Sequence, residues 1–168
     1  MKEHPWSSDP RHLKPYALKP TPIPPNFTLL VDTREQRPLF ARIPKGLTIQ
    51  ACTLSNGDYS VQGFANKICF ERKAADLFPY CSSEREKTVT KMKRFKGFEF
   101  VGLIIELRES EIYQFQEHTK VHPEVIRGAI LSFEIRYGVH VYYGNREQCA
   151  RKLLDWAVKF WNVKHEIS

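Results

Sequence analysis

Ile68-Cys69-Phe70-Glu71-Arg72-Lys73 decides the reading of this chain. Three apolar residues run straight into three charged ones, and the stretch is short enough to be one strand. Side chains alternate faces along a strand, so Glu71 and Lys73 point to one side and Arg72 to the other. A carboxylate and an ammonium then stand side by side at the end of a buried element. Upstream, Ser55-Asn56-Gly57 signals a turn, and Tyr59–Gln62 resumes extended structure. Antiparallel pairing of 59–62 with 68–73, through the short connection at Gly63, brings Asp58 to the same sheet end as Glu71.

Working outward, Thr28-Leu29-Leu30-Val31-Asp32 is an apolar run closing on a carboxylate, as buried strands often do. Leu47–Cys52 alternates and reads as a further strand. A helical segment begins over Asp76–Tyr80. Ser82 or Ser83 is positioned to cap the next helix, whose apolar residues are Val89, Met92 and Phe95. Phe100–Leu107 is the most hydrophobic strand and is expected in the interior of the sheet. Pro123–Tyr137 reads as a helix with Pro123 in its first turn, an apolar face of Val125, Ile126, Ala129, Ile130 and Phe133, and Gly138 as its stop. Val139–Tyr143 is a strand, and Asn145 can cap a final helix presenting Leu153, Trp156, Ala157 and Phe160. The expected fold class is α/β, a mixed central sheet flanked by helices on both faces.

Residues 1–25 hold seven of the eleven prolines, so 1–26 reads as a proline-rich basic extension and 27–168 as the folded domain. Lys2, Arg11, Lys14 and Lys19 give that extension its charge. No positively charged start leads into an apolar stretch, which points to an intracellular protein. No apolar run approaches the ~20 residues of a membrane span. Cys52, Cys69, Cys81 and Cys149 are widely spaced, against a zinc knuckle and for free thiols. The formal charge of +7 and pI near 9.3 favour nucleic acid as a partner.

Magnesium takes hard oxygen ligands and keeps several waters, so two or three carboxylates can hold it. Asp32, Asp58 and Glu71 are the candidates, with Lys73 beside them to orient or activate water; the chemistry is that of a metal-dependent phosphodiesterase. Each element alone has a plain structural account: an Asp after a glycine turn, a solvated Glu-Arg-Lys run, a polar loop after a strand. Their conjunction is uncommon.

Val31-Asp32-Thr33-Arg34-Glu35, Gly57-Asp58-Tyr59, and Glu71-Arg72-Lys73 followed by Asp76-Leu77 together resemble the nuclease domain of XPF-type structure-specific endonucleases, within the restriction-endonuclease-like PD-(D/E)xK group. The likeness continues through Gly102–Glu106 and Ile126–Val141, covering about residues 28–160. It implies a DNA endonuclease using Mg2+, with Mn2+ as substitute, acting on flaps, forks and other branched or partly single-stranded DNA. It places catalysis at Asp32, Asp58, Glu71 and Lys73, the metal at Asp32, Asp58 and Glu71, and substrate contact at Arg34, Arg72 and Arg85. Glu35, Gly57 and Tyr59 belong to the same signature. Arg72 faces away from Glu71, so an ion pair on the opposite sheet face is as good an expectation for it as DNA contact.

Two departures from the family lie beside the expected site: 71–85 is about one residue short, and Val89 stands where glutamine is common. The family's tandem helix-hairpin-helix module has no room before Ser168, so either a partner supplies it or the nuclease stands alone. The other readings are a non-catalytic DNA-binding or scaffolding subunit, and a nuclease with little structural preference. A homodimer or heteromeric partner is expected at the C-terminal helices, because Leu154, Val158 and Trp161 lie off the face that covers the sheet; the alternative is that residues 1–25 fold back over them or that 162–168 cover them.

Overall fold

The computed structural model describes residues 17–115 and 120–166. Its strands are β1 (Thr28–Asp32), β2 (Thr48–Cys52), β3 (Tyr59–Val61), β4 (Ile68–Lys73), β5 (Phe100–Ile105) and β6 (His140–Tyr143). Its helices are α1 (Leu77–Cys81), α2 (Arg85–Phe95), α3 (Glu109–Ile112), α4 (Pro123–Tyr137) and α5 (Arg146–Glu166). The strands form one sheet in the order β2-β1-β3-β4-β5-β6. β1 runs antiparallel to β3, and β3 to β4, while β1–β2, β4–β5 and β5–β6 are parallel. This is the mixed α/β sheet expected. Lys2, Arg11 and Lys14, with most of the basic extension, lie outside the described residues, and Lys19 is exposed.

Strand alternation sorts the core into two layers. Ile68, Phe70 and Ile104 join Leu29, Val31, Tyr59 and Val61 on the face covered by α5, against Cys149, Leu153, Leu154, Ala157 and Val158. Cys69, Val101, Leu103 and Ile105 face the other way, toward α1, α2 and α4. Gly102 belongs to the α5 face, where Phe70 and Trp156 stack at 6.4 Å between ring centroids. A Cβ at Gly102 would lie 2.7 Å from Phe70 Cδ1 and 3.0 Å from Trp156 Cζ3, so the two rings close over β5 only because this residue has no side chain. Ile68, Phe70 and Leu103 are all fully buried, so both faces of the interior strands are dry and the sheet is rigid where it carries the charged ends of β1 and β4.

Helix ends follow their sequence signals in two cases. Gly138 takes a left-handed φ of 65° and closes α4, its amide donating to Glu134 and Phe133 carbonyls. Asn145 caps α5: its Oδ1 accepts from the Gln148 amide at 2.9 Å, and Gln148 Oε1 accepts from the Asn145 amide. The serine cap expected for α2 is absent. Glu84 occupies that position without a side-chain hydrogen bond, and Ser82 donates back to the Phe78 carbonyl of α1.

Three expectations need correction on packing. The inward face of α2 is Thr88, Met92 and Phe95, with Val89 rotated off it. Val125 is exposed at the start of α4, because the turn there directs Ile126 and Ala129 into the core instead. Leu154 and Val158 are buried, and Trp161 packs edge-on against Phe27. Ile23 and Phe64 fill the rest of that surface, so the segment before β1 covers the face of α5 that was expected to seek another protein. On α5 Val163 remains exposed, and on α4 Leu131 and Ile135 (84% exposed) border a groove of about 580 Å3 against α2.

Candidate active site

Pairing of β3 with β4 assembles the site. Tyr59 registers with Phe70, and the Asp58 amide donates to the Phe70 carbonyl at 2.7 Å, which sets Asp58 beside Glu71. Gly57 makes this approach possible. Its φ is 75°, and a Cβ there would meet the Phe70 carbonyl oxygen at 2.8 Å. Asp58 Oδ2 accepts the Arg72 amide at 2.7 Å, so one of its oxygens is tied to the backbone of β4. Tyr59 is fully buried, and its hydroxyl accepts the Leu39 amide at 2.8 Å, anchoring the loop after β1.

Glu71 is 1% exposed on the α1/α2 face. Its Oε1 receives two ammonium groups, Lys91 Nζ at 2.6 Å and Lys73 Nζ at 3.1 Å. Its Oε2 is buried with no hydrogen-bond partner among the described residues. An unpartnered carboxylate oxygen is costly to bury and marks a place where a cation fits. Burial, and then repulsion from Glu71, push the Asp58 carboxyl up to about 6. Lys73 also reaches Asp76 Oδ2 at 3.2 Å and lies 4.7 Å over the Tyr80 ring. Burial works against its charge, but Glu71 and Asp76 outweigh this and hold the ammonium above its ordinary value.

Asp32 closes the neighbouring strand, its amide donating to the Asp58 carbonyl at 2.8 Å. Arg34 grips it with Nε on Oδ1 at 2.7 Å and Nη2 on Oδ2 at 3.0 Å, and the amides of Arg34 and Leu54 complete the shell. The Arg34 hydrogen bond above all, against the opposing effect of burial, holds this carboxyl well below the usual range. Among the described residues no group of three or more acidic, histidine or cysteine side chains is placed to hold a metal ion. The oxygens of Asp32 are engaged by Arg34 and Leu54 as the protein stands. With four donors already on its oxygens, Asp32 fixes Arg34 and the Leu54 loop. Arg34 also donates to the Leu54 carbonyl at 2.7 Å, so its fork bridges the two segments.

Arg72 lies on the α5 side, away from Glu71. Its Nε donates to Glu106 Oε2 at 2.9 Å, its Nη2 reaches the same oxygen, and its Nη1 is 3.5 Å from Glu35 Oε1. Arg146 at the start of α5 donates to both Glu106 oxygens at 3.2 Å. The structure makes Arg72 part of an internal ion-pair chain from Glu35 through Glu106 to Arg146. Burial is the largest single effect and opposes its charge, but the Glu106 bond and the attraction of Glu106 and Glu35 together raise its pKa. Arg85 opens α2 and borders the α2–α4 groove with Val89 and Leu131.

Two contributors escaped the sequence reading. Lys91 lies three residues after the buried Thr88 and four before Phe95, hence on the inward face of α2, where a lysine needs a partner. A helical wheel centred on Thr88, Met92 and Phe95 points to it; one centred on Val89 does not. Arg146 had no signal, since only the tertiary fold brings it to Glu106.

The ERCC4 domain model matches residues 31–154, most of the chain. Among solved structures, XPF from Aeropyrum pernix superposes with a TM-score of 0.59 at 18% identity, over 79% of this chain and 60% of that one. The same organism's XPF in a complex with DNA gives 0.57 at 17% identity, over 82% and 66%. This chain thus spans less than two thirds of the length of either. A search of curated proteins gave no match.

Proposed function

This chain belongs to the ERCC4-domain family and has the fold of XPF-type nuclease domains, and on that premise we propose that it is a divalent-metal-dependent DNA endonuclease. The observation that carries the proposal is the Asp58–Glu71 pair beside Lys73, with a buried Glu71 oxygen left without a donor. Hard carboxylate oxygens of this kind suit Mg2+ or Mn2+, and Asp58 and Glu71 are the residues that hold it. Such an ion, when bound, acidifies water and offsets charge developing on a phosphate.

The chain's own groups do the rest. Lys73 is fixed by Glu71, Asp76 and the Tyr80 ring, so its ammonium is positioned to orient a water or to neutralise a phosphate oxygen. Asp32 and Arg34 act as positioning residues, locking the β1 end against the Leu54 loop; a direct metal contact by Asp32 is not part of the proposal. DNA reaches the site along α2, whose Arg85, Lys87, Lys91, Lys93 and Arg94, followed by Lys96, are opposed there only by Glu86. A helix this basic attracts phosphate, and Lys87, Lys91 and Arg94 share one face of it. The XPF of Aeropyrum pernix was solved with DNA, which supports the choice of partner. Branched or partly single-stranded DNA is the preferred substrate.

Labelled flap, fork, nicked, duplex and single-stranded DNA, incubated with the full chain and Mg2+, test this. The expected result is cleavage of flap and fork at least tenfold faster than duplex. Equal rates throughout would leave a nuclease and remove structure preference. No cleavage of any substrate, with Mg2+ or Mn2+, would favour a DNA-binding subunit.

A further inference from the structure

We infer that Lys91 is a displaceable counter-ion of the metal site, held on Glu71 while no metal is bound and transferred to the DNA backbone when a divalent cation takes its place. The inference rests on the nuclease reading above and adds a role for a residue on α2.

The two ammonium groups on Glu71 Oε1 are unequally held. Lys73 has Glu71, Asp76 and the Tyr80 ring, and its side chain is 15% exposed. Lys91 makes its 2.6 Å contact with Glu71 and no other ion pair among the described residues, and it is 30% exposed. Asp58, Glu71 and Asp76 carry three negative charges against the two positive ones of Lys73 and Lys91, so the cluster is one charge negative as it stands. A divalent cation at Glu71 gives a surplus of positive charge within a few ångströms. One lysine must then move, and the geometry selects Lys91: fewer contacts, more solvent, and a flexible four-carbon stem. Lys87 and Arg94, four residues before and three after it, share its face of α2, so the freed ammonium joins basic groups that attract phosphate.

The placement has two consequences. Lys91 competes with the metal for the negative charge of the Glu71 carboxylate, weakening metal binding when DNA is absent. Once displaced, it adds a phosphate contact that exists only in the metal-loaded protein. Metal and DNA binding are therefore coupled through one side chain.

The test measures Mn2+ binding by electron paramagnetic resonance on the full chain and on Lys91→Met, Lys91→Gln, Lys91→Arg and Glu71→Gln. Flap-DNA affinity is measured by fluorescence anisotropy across a salt series, in Ca2+ and in EDTA. Lys91→Met and Lys91→Gln should bind Mn2+ on the order of tenfold more tightly than wild type. In Ca2+ their salt slope should fall by about 0.9, one phosphate contact, and in EDTA it should match wild type. Lys91→Arg should keep the wild-type slope. Circular dichroism identifies any variant that fails to fold, and the two neutral variants check one another. Unchanged Mn2+ affinity in a folded Lys91→Gln, or an unchanged slope in Ca2+, overturns the inference. Glu71→Gln separates the two levels: if it abolishes Mn2+ binding while Lys91→Gln changes nothing, only the role of Lys91 fails. If Glu71→Gln binds Mn2+ as wild type does, the metal reading fails and this inference with it.

Discussion

Asp58→Asn is expected to make the metal-free protein more stable than wild type at pH 8. Asp58 is raised from 3.8 to about 6 in the folded chain, by burial and then by Glu71. An acid whose folded pKa lies above its unfolded value costs stability as pH rises. Below about pH 4 both states keep the proton and the cost is absent. Between about 4 and 6 the unfolded chain ionises first, and above 6 the full cost applies. About two pKa units at 1.36 kcal/mol each give about 3 kcal/mol, an upper figure for a partly buried pair. Asparagine removes the charge and can still accept the Arg72 amide. Chemical denaturation in EDTA at pH 4 and pH 8 checks this: the two proteins should converge at pH 4 and separate at pH 8. Mg2+ at a hundredfold excess over its Kd should stabilise wild type by about 2.7 kcal/mol and leave Asp58→Asn unmoved. A variant less stable than wild type at pH 8 would mean that Asp58 is a structural turn residue.

Arg72→Ala should be the most damaging substitution outside the hydrophobic core. Arg72 holds Glu106 and reaches Glu35 on the face of the sheet that packs on α5. Removing one partner from a largely buried charge network costs about 3 to 5 kcal/mol, because the carboxylates remain. Arg146 still holds Glu106 at 3.2 Å, which puts the expectation at the lower end. For a chain of this size that is a fall in Tm of about 10 °C. The salt slope of DNA binding by the folded variant should not change, since the guanidinium is engaged internally. A reduced slope with an unchanged Tm would reassign Arg72 to the DNA interface. Arg34→Ala should be milder, because its side chain is exposed and the Arg34 and Leu54 amides still hold Asp32.

The parts of the site that were legible in sequence depended on local periodicity. Glu71 and Lys73 share a face because strands alternate, and Arg72 faces away for the same reason. Asp58 came with them because a glycine turn and a short connection leave β3 and β4 little choice but to pair. The strand and α4 boundaries were legible through apolar runs, Pro123 and Gly138. Errors arose where the outcome depended on distant packing. Val89 and Thr88 are adjacent and both fit an apolar helix period, so the rotation of α2 is fixed only by what it packs against, and Lys91 was lost with it. Leu154 and Val158 looked surplus on α5 because local pattern does not choose between a second protein and the chain's own N-terminal segment, and Ile23 and Phe27 are what cover them. The grip of Arg34 on both oxygens of Asp32 was likewise not legible in the strand pattern. A sequence motif names the acid without showing how many donors already hold it.

The central claim is that Asp58 and Glu71 hold the divalent cation on which DNA cleavage depends. The direct measurement is flap-DNA cleavage over a Mg2+ titration by wild type, Asp58→Asn and Glu71→Gln, each confirmed as folded by circular dichroism. The account predicts no cleavage in EDTA, saturable activation of wild type by Mg2+, and a loss of at least a thousandfold in both variants at every Mg2+ concentration. Wild-type cleavage that persists in EDTA, or full Mg2+-dependent cleavage by either folded variant, would contradict it.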